Sequence, residues 1–326
     1  MIITSTPLRM SFVGGGTDFE DFYRRYPGRV VSTAINKYFY VGVNPRFDGT
    51  IRLSYTQTET VEHRDQIQHP LIKGALEETG IEKGIDIFSL ADLPAHRTGL
   101  GLGASSSFTV GLLNALYAFL GEYQPADVLA EKACQIEINK AKSPIGKQDQ
   151  YAVAFGGLNL IIFNCDGKIE VEPIYLMPKL KEDFQKHLLL FFTGKERSAN
   201  IILSEQKQNI DKKFEFLKKM SGMALIFKDA LEKGDFQKMA ELLHQNWLIK
   251  KELASGISNP QIDEMYNLAR GSGAWGGKIL GAGGGGFLLV MAAPENHSKI
   301  KEALNEYQLI PFRFSESGSK IVFRSE

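Results

Sequence analysis

The chain alternates between short runs with apolar residues at every second position and longer runs with apolar residues three or four positions apart. Leu8 and Met10, for example, alternate with polar neighbours and predict a strand over 2–13. Phe108 and Leu112 begin a series at helical spacing, which predicts a helix with one buried face. The mixture of both periods indicates that strands and helices share the fold.

The same pattern predicts elements along the whole chain and a division into two domains. Strands are predicted at 2–13, 30–43, 51–55, 85–90, 158–163, 188–192, 277–280, 286–292, 309–314 and 319–323. Helices are predicted at 70–79, 108–119, 126–140, 147–155, 199–209, 211–232, 235–250, 260–271 and 296–307. Because the two kinds do not alternate strictly, we predict an α+β fold. Charged residues gather over 166–186, so we predict domains at 1–175 and 176–326.

Composition narrows the class of protein. The 326 residues include 38 Lys plus Arg and 38 Asp plus Glu, a balance that argues against nucleic acid or an anionic membrane as partner. Cys134 and Cys165 match no zinc spacing and are predicted to be reduced core residues. We find no signal peptide or membrane-spanning stretch, so we predict a cytoplasmic protein.

Two glycine-rich stretches, 99–107 and 281–286, look suited to holding phosphate. Glycine lets backbone N–H groups approach an anion closely, and a helix that follows adds its unpaired N–H groups. The first stretch lacks the lysine of the P-loop and the glycine spacing of the dinucleotide fingerprint. The hydroxyls of Ser105–Ser107 could cap the helix, donate to phosphate or bind Mg²⁺. A plain helix N-cap after a flexible turn is the alternative interpretation.

Two carboxylates, Glu137 and Asp149, are candidates for chemistry at such a loop. A kinase that acts on a hydroxyl needs one carboxylate to take or orient the hydroxyl proton and another to hold Mg²⁺. Lys147 could keep Asp149 ionised or face a substrate phosphate. The alternatives are a solvated helix face for Glu137 and an ordinary acid at a helix start for Asp149.

The first predicted strand ends in three glycines, Gly14–Gly16, followed by Thr17 and Asp18. A strand-exit turn would explain one or two glycines better than three, so we predict that a substrate lies against this backbone. Asp18 would offer two acceptors to sugar hydroxyls, and Arg9 would offer a guanidinium to phosphate.

Three segments, taken in order, resemble the motifs of the GHMP small-molecule kinases. Pro7–Asp18 resembles the first family motif, Gly99–Ser107 the phosphate loop, and Lys278–Phe287 the C-terminal glycine-rich motif. The segments 145–151 and 192–199 are similar to the sugar-kinase branch, which contains heptose 7-phosphate kinases and fucokinases. The resemblance implies a two-domain GHMP kinase fold, with a ribosomal-S5-domain-2-like N-terminal domain and a ferredoxin-like C-terminal domain.

The resemblance also implies roles for single residues. It implies that Ser105 and Glu137 hold Mg²⁺ and that Asp149 faces the acceptor hydroxyl, with ATP as phosphoryl donor. We expect Arg9 or Lys147 to stabilise charge at the transferring phosphoryl group. The predicted nucleotide-binding residues are Gly99, Gly101, Gly103, Ala104, Ser105, Ser106 and Ser107. The predicted substrate-binding residues are Gly15, Gly16, Thr17, Asp18, Arg197, Gly283 and Gly284.

The implied reaction phosphorylates the anomeric hydroxyl of D-glycero-D-manno-heptose 7-phosphate and gives the 1,7-bisphosphate. The phosphate already on such an acceptor needs a cationic site, for which the candidates are Lys195, Arg197, Arg25 and Arg29. Two alternatives stay open. The acceptor could be L-fucose or another free sugar, or the chain could be a sugar- and nucleotide-binding regulator that barely turns over. The intact pair of Glu137 and Asp149 argues against a regulator.

Overall fold

The computed structural model describes residues 1–93, 101–194 and 199–325, and the α+β prediction is confirmed. In these ranges the strands are β1 (Ile2–Val13), β2 (Gly28–Pro45), β3 (Ile51–Ser54), β4 (Thr58–Val61), β5 (Ile85–Ala91), β6 (Leu158–Phe163), β7 (Ile169–Pro173), β8 (Leu188–Phe192), β9 (Ala274–Ile279), β10 (Phe287–Ala292), β11 (Gln308–Leu309) and β12 (Lys320–Arg324). The helices there are α1 (Glu20–Tyr23), α2 (Pro70–Glu78), α3 (Ala104–Phe119), α4 (Ala126–Cys134), α5 (Gln148–Phe155), α6 (Pro178–Lys186), α7 (Ala199–Gln208), α8 (Phe214–Lys233), α9 (Phe236–Lys251), α10 (Pro260–Gly271) and α11 (His297–Ala303).

The strands of the described ranges form two sheets. The first has eight strands, in the order β12-β1-β2-β5-β3-β4, with β6 beside the start of β2 and β7 beside β6. Because β2 is 18 residues long, its first part, 28–33, pairs with β6 and its second part, 39–45, pairs with β5. Only β3 and β5 pair in parallel among these strands. The second sheet is antiparallel, with four strands in the order β11-β8-β10-β9.

Helices α3, α8 and α9 bring the two sheets together. Helix α3 packs on β1 and β2, α8 also packs on these strands, and α9 packs on β9 of the second sheet and contacts β1. One continuous hydrophobic cluster joins both sheets and these helices. Helix α9 begins where the Asp235 carboxylate accepts from the backbone of Lys238, at 2.9 Å, a conventional N-cap. Helix α9 therefore contacts both sheets.

Three predicted features differ from the structure. Strand β11 stops at Leu309, because the chain then crosses from the second sheet to the first, where the backbone of Ser315 donates to Ala34 at 2.9 Å. The predicted helix 126–140 ends at Cys134 and continues as a π-helical turn, Gln135–Lys140. Cys134 is buried as predicted, but Cys165 is exposed, so its core assignment was wrong.

The last strand returns to the first sheet. In β12, Arg324 lies opposite Ile2 of β1, so residues far apart in sequence form neighbouring strands. The division into 1–175 and 176–326 stays a prediction. No helix in the described ranges has the length and apolar character needed to cross a bilayer.

Candidate active site

The glycine-rich stretch before α3 forms a tight loop. Gly101 and Gly103 have φ of 81° and 72°, a left-handed conformation that other residues rarely adopt. Gly103 precedes the first residue of α3, Ala104, and no side chain caps the helix. Uncapped N–H groups at a helix start form a site for an anion. Gly99 lies outside the described residues.

Ser107 ties this loop to the first sheet. Its side chain is fully buried, and its hydroxyl donates to the carbonyl oxygens of Pro7 at 2.8 Å and Gly103 at 3.0 Å. Because the hydroxyl is engaged inside the protein, the side chain of Ser107 anchors the loop.

The two glycine-rich stretches meet face to face. A Cβ added at Gly101 would lie 2.3 Å from the carbonyl oxygen of Leu280, and one added at Gly281 would lie 2.3 Å from the Cα of Gly101. Real Cβ atoms do not come so close to backbone, so each position needs glycine for contact as well as for its positive φ. The predicted phosphate loop and the C-terminal motif therefore form one structure.

We expect Gly101→Ala to destabilise the protein and to weaken nucleotide binding. A matched control is Gly121→Ala, because Gly121 has φ of 80° and nothing within 4 Å of an added Cβ. Gly121→Ala should lower the free energy of unfolding only by the cost of placing alanine in the left-handed conformation, about 1–2 kcal/mol. Thermal unfolding and ATP titration of both variants measure the difference. Equal effects in the two variants would contradict the proposed role of the contact.

Arg9 and Asp149 form a bidentate ion pair beside the loop. Arg9 Nε donates to Asp149 Oδ1 at 2.8 Å, and Nη2 donates to Oδ2 at 2.6 Å. Arg9 Nη1 donates to the carbonyl oxygen of Gly101 at 2.7 Å. A Cβ added at Gly103 would lie 3.5 Å from Asp149 Oδ2. The carboxylate therefore lies close to the start of α3, and its side chain is 24% exposed, so a ligand can reach it.

Glu137 is fully buried, and its carboxylate accepts from four side chains. The donors are Ser105 Oγ at 3.2 Å, Ser106 Oγ at 2.9 Å, Thr109 Oγ1 at 2.7 Å and Gln150 Nε2 at 2.5 Å. Burial, with a smaller effect from the charge of Asp149, raises the pKa of Glu137 to about 7, although the hydrogen bonds from Thr109, Ser106 and Gln150 act in the opposite direction. A buried carboxylate beside an exposed serine is a hard oxygen site that a cation would stabilise.

The three-glycine segment after β1 is joined to the start of α5 through Asp18. Asp18 is 2% exposed and accepts from the backbone N–H of Gly16 at 2.9 Å and of Gln148 at 3.2 Å. Gln148 Nε2 adds a third bond at 3.0 Å. Burial raises the pKa of Asp18, and the charge of Asp149 adds to this effect. Asp18, which was predicted to bind substrate, therefore lies close enough to Asp149, the predicted base, for the charge of Asp149 to affect its pKa.

Thr17 has a structural environment. It is fully buried, and its hydroxyl donates to the carbonyl oxygen of Gly14 at 2.8 Å and accepts from the backbone N–H of Arg29 at 2.9 Å. These bonds hold the exit of β1 against the start of β2. The side chain that we predicted to bind substrate is therefore occupied within the protein.

Gly283 and Gly284 are held against the start of α10. A Cβ at Gly283 would lie 2.6 Å from the carbonyl oxygen of Ile257, and the backbone of Gly284 donates to that oxygen at 2.8 Å. Asn259 Nδ2 donates to the carbonyl oxygen of Gly284 at 3.2 Å. Contact of these glycines with a substrate stays a prediction.

Lys147 does not contact Asp149. Its ammonium lies 3.2 Å from Glu131 Oε2 and forms an ion pair with that carboxylate. Arg9 is the cation that pairs with Asp149. Arg9 and Lys147, which the sequence did not distinguish, therefore have different partners in the structure.

Of the four residues predicted to bind the phosphate already on the acceptor, Arg25 and Arg29 lie in the described ranges. Arg25 pairs with Asp211 and stacks on the ring of Phe214, with its guanidinium carbon 4.2 Å from the ring centre. Arg29 donates to a serine hydroxyl of α8 at 3.2 Å. Lys195 and Arg197 lie outside the described residues. The site for this phosphate stays open.

Sequence reasoning missed four side chains of the site. Thr109 lies one helical turn after Ser105, and Gln148 and Gln150 flank Asp149, so helical spacing and adjacency could have found them. The fourth, Lys250 at the end of α9, gave no local signal. Its Nζ donates to the carbonyl oxygen of Gly281 at 2.6 Å.

Family models described as the GHMP kinases N terminal domain and GHMP kinases C terminal match residues 70–157 and 227–308. A D-glycero-alpha-D-manno-heptose 7-phosphate kinase of Campylobacter jejuni is 30% identical, with 98% of each chain covered. A bifunctional fucokinase/GDP-fucose pyrophosphorylase of Arabidopsis thaliana is 23% identical over 92% of this chain and 31% of its own length.

A solved structure agrees with these matches. The crystal structure of a D-glycero-D-manno-heptose 1-phosphate kinase from Bacteroides thetaiotaomicron has a TM-score of 0.83 and 25% identity, with all of both chains covered. The Campylobacter and Bacteroides relatives, both named as heptose phosphate kinases, match this chain over nearly its full length. The chain is therefore an enzyme of the sugar-kinase type and belongs to the GHMP kinase family.

Proposed function

We propose that this protein transfers the γ-phosphoryl group of ATP to the anomeric hydroxyl of D-glycero-D-manno-heptose 7-phosphate. The observation that carries the proposal is the Arg9–Asp149 pair, which presents a partly exposed carboxylate beside the uncapped start of α3. The name of the Campylobacter relative supports the choice of acceptor. A phosphate-binding helix start and an adjacent base are the two parts that transfer to a hydroxyl requires.

In this proposal Asp149 accepts the proton of the anomeric hydroxyl while the sugar oxygen forms a bond to the γ-phosphorus. The bond between that phosphorus and the β,γ-bridging oxygen breaks, and ADP leaves with the electron pair. Arg9 holds Asp149 in place through two of its five N–H donors and holds Gly101 through a third. Its remaining donors can contact the transferring group. We assign this role to Arg9, because Lys147 is paired with Glu131.

Glu137 and Ser105 are the residues that we propose for Mg²⁺. Their oxygens lie 3.2 Å apart, one buried and ionisable and the other exposed, and both are of the kind that Mg²⁺ prefers. The described residues contain no cluster of three or more His, Cys, Asp or Glu side chains suited to a metal. A site with one carboxylate, one hydroxyl and phosphate oxygens fits the way nucleotide-bound Mg²⁺ is usually held. The ion would neutralise charge on the phosphates.

The acceptor can be identified with a panel of sugars. The relatives differ in their printed names, one a heptose 7-phosphate kinase and the other a heptose 1-phosphate kinase. Release of ADP should therefore be measured with heptose 7-phosphate, heptose 1-phosphate, unphosphorylated heptose and L-fucose. We expect kcat/KM to be highest for heptose 7-phosphate. A higher value for L-fucose or for heptose 1-phosphate would reject the proposed acceptor and leave the sugar-kinase class intact.

A further inference from the structure

Lys250 is a buried ammonium at the meeting point of the glycine-rich segments. It lies in the last turn of α9, is 5% exposed, and among the described residues its hydrogen-bond acceptor is the carbonyl oxygen of Gly281. A lysine ammonium has three N–H donors, so donors remain that this bond does not use. A buried charge without enough partners is costly, which makes such a group a candidate for ligand binding.

The space beside the ammonium lies over Gly15. A Cβ added at Gly15 would be 3.8 Å from Lys250 Nζ and 3.7 Å from Gln148 Nε2. Asp18 and Asp149 act on Lys250 as neighbouring charges, although neither forms an ion pair with it in the described ranges. Gly15 therefore lies beside the ammonium and the Gln148 amide, and Asp18 and Asp149 are the carboxylates whose charges act on this ammonium.

Unpaired amide atoms line the same region. Asn246, one helical turn before Lys250, accepts from the backbone of Gly14 at 3.1 Å, and its buried Nδ2 has no partner among the residues that the structure describes. Gln148 donates to Asp18, and its buried Oε1 likewise has no partner in the described ranges. Buried polar atoms are normally satisfied, so two unpaired amide atoms beside the glycine segment and the Lys250 helix indicate a hydroxylated ligand. Sugar hydroxyls both donate and accept, which matches these amides.

We propose that Lys250 binds the acceptor sugar and donates a hydrogen bond to the oxygen that Asp149 deprotonates. This inference rests on the proposed function, since it uses the same base and the same acceptor site. As the hydroxyl proton passes to Asp149, the oxygen gains negative charge until its bond to the γ-phosphorus has formed. An ammonium beside that oxygen favours this charge and fixes the direction of attack.

The burial of Lys250 and the charges around it predict how kcat/KM depends on pH. Burial lowers the pKa of Lys250 to about 8; Arg9 lowers it too, whereas Asp18 and Asp149 raise it. Lys278, on β9, is a further charged neighbour, and it too is fully buried. Only the protonated amine can donate to the acceptor and carry positive charge. The kcat/KM for the acceptor should therefore fall as pH rises through about 8.

The test compares Lys250→Met, Lys250→Arg and the wild-type enzyme, using whichever sugar the acceptor panel identifies. We expect Lys250→Met to lower kcat/KM for the acceptor by about 10- to 100-fold, the usual effect of losing a charged hydrogen bond. The KM for ATP should change by less than about threefold. Lys250→Arg stays charged at high pH and should lose the fall near pH 8.

Lys251→Met is the matched control. Lys251 lies in the same helical turn but forms an ion pair with Asp263 at 3.2 Å near the surface. Its loss should leave the acceptor KM and the pH profile unchanged, because surface pairs contribute little. A lysine that merely supported Gly281 would change stability without changing the alkaline limb.

The outcomes separate this inference from the proposed function. If no sugar is phosphorylated by the wild-type enzyme, both the proposed function and the role of Lys250 are rejected. If a sugar is phosphorylated and Lys250→Met keeps its acceptor KM and pH profile, only the role of Lys250 is rejected. Should Lys250→Met fail to fold, the wild-type profile decides, since a kcat/KM that stays flat from pH 6 to about 10 would overturn the inference.

Discussion

Asp149→Asn should lower kcat by about 10²- to 10⁴-fold, the contribution expected of a general base, while ATP binding is retained. Asparagine keeps the shape of the side chain and one oxygen that Arg9 can donate to, but it cannot accept the proton of the acceptor hydroxyl. The proposed phosphate-binding part of the site lies on the loop and on the start of α3, which this change does not alter. Turnover is measured by ADP release and affinity by titration with ATP.

The variant needs a stability control, because Arg9 is 4% exposed and loses a charged partner. Breaking a fully buried pair costs about 3–5 kcal/mol, and the partial exposure of Asp149 reduces this cost. Asp48→Asn is the matched control, since Arg46 also holds Asp48 through Nε and Nη2, in a turn after β2. We expect normal turnover in the control. Near-normal turnover in a folded Asp149→Asn would remove Asp149 from the reaction.

The second large effect is expected for Glu137→Gln. The change keeps the volume of the side chain and removes the buried carboxylate that accepts from Ser105, Ser106 and Thr109. We expect kcat/KM to fall by at least about 10²-fold and the Mg²⁺ concentration for half-maximal rate to rise, because a ligand charge is lost. An Mg²⁺ titration of the rate checks this. An unchanged Mg²⁺ requirement would contradict the assignment.

Glu137 also gives the metal-free protein a pH dependence of stability. Its folded pKa of about 7 lies above the ordinary value of 4.5. Between pH 4.5 and 7 the folded chain keeps a proton on Glu137 that the unfolded chain releases. The contribution of Glu137 to the free energy of unfolding is therefore full below pH 4.5 and decreases above it. On the order of 3 kcal/mol is lost as pH rises to 7. Thermal unfolding without Mg²⁺ should show a smaller loss between pH 5 and 8 for Glu137→Gln than for wild type.

The sequence could predict the parts of the site that depend on local pattern. The phosphate loop and the first-strand glycines depend on φ values and on contacts that only glycine tolerates, and glycine is visible in any sequence. Glu137 could be found because it is an acid between apolar residues of a predicted helix, and Asp149 because it follows a Pro-x-Gly turn. Local patterns were also enough for most helices and strands, since their periods follow from burial of one face.

The parts that could not be predicted depend on tertiary contact. Lys250 and Lys251 are adjacent and look like ordinary cations at a helix end, yet one is buried at the site and the other pairs with Asp263 near the surface. Lys147 is two residues from Asp149 in sequence, but the helix start turns it toward Glu131. The final strand joins β1 from 300 residues away, a pairing that no local pattern specifies.

The most direct test of the central claim is a phosphorus NMR time course with ATP, Mg²⁺ and D-glycero-D-manno-heptose 7-phosphate. We predict that the γ-phosphate signal of ATP falls as an anomeric phosphate signal and ADP appear, with the 7-phosphate signal retained. Persistence of ATP and the unchanged sugar phosphate over many expected turnovers would contradict the proposed reaction. A new signal at a position other than the anomeric carbon would contradict the assigned hydroxyl.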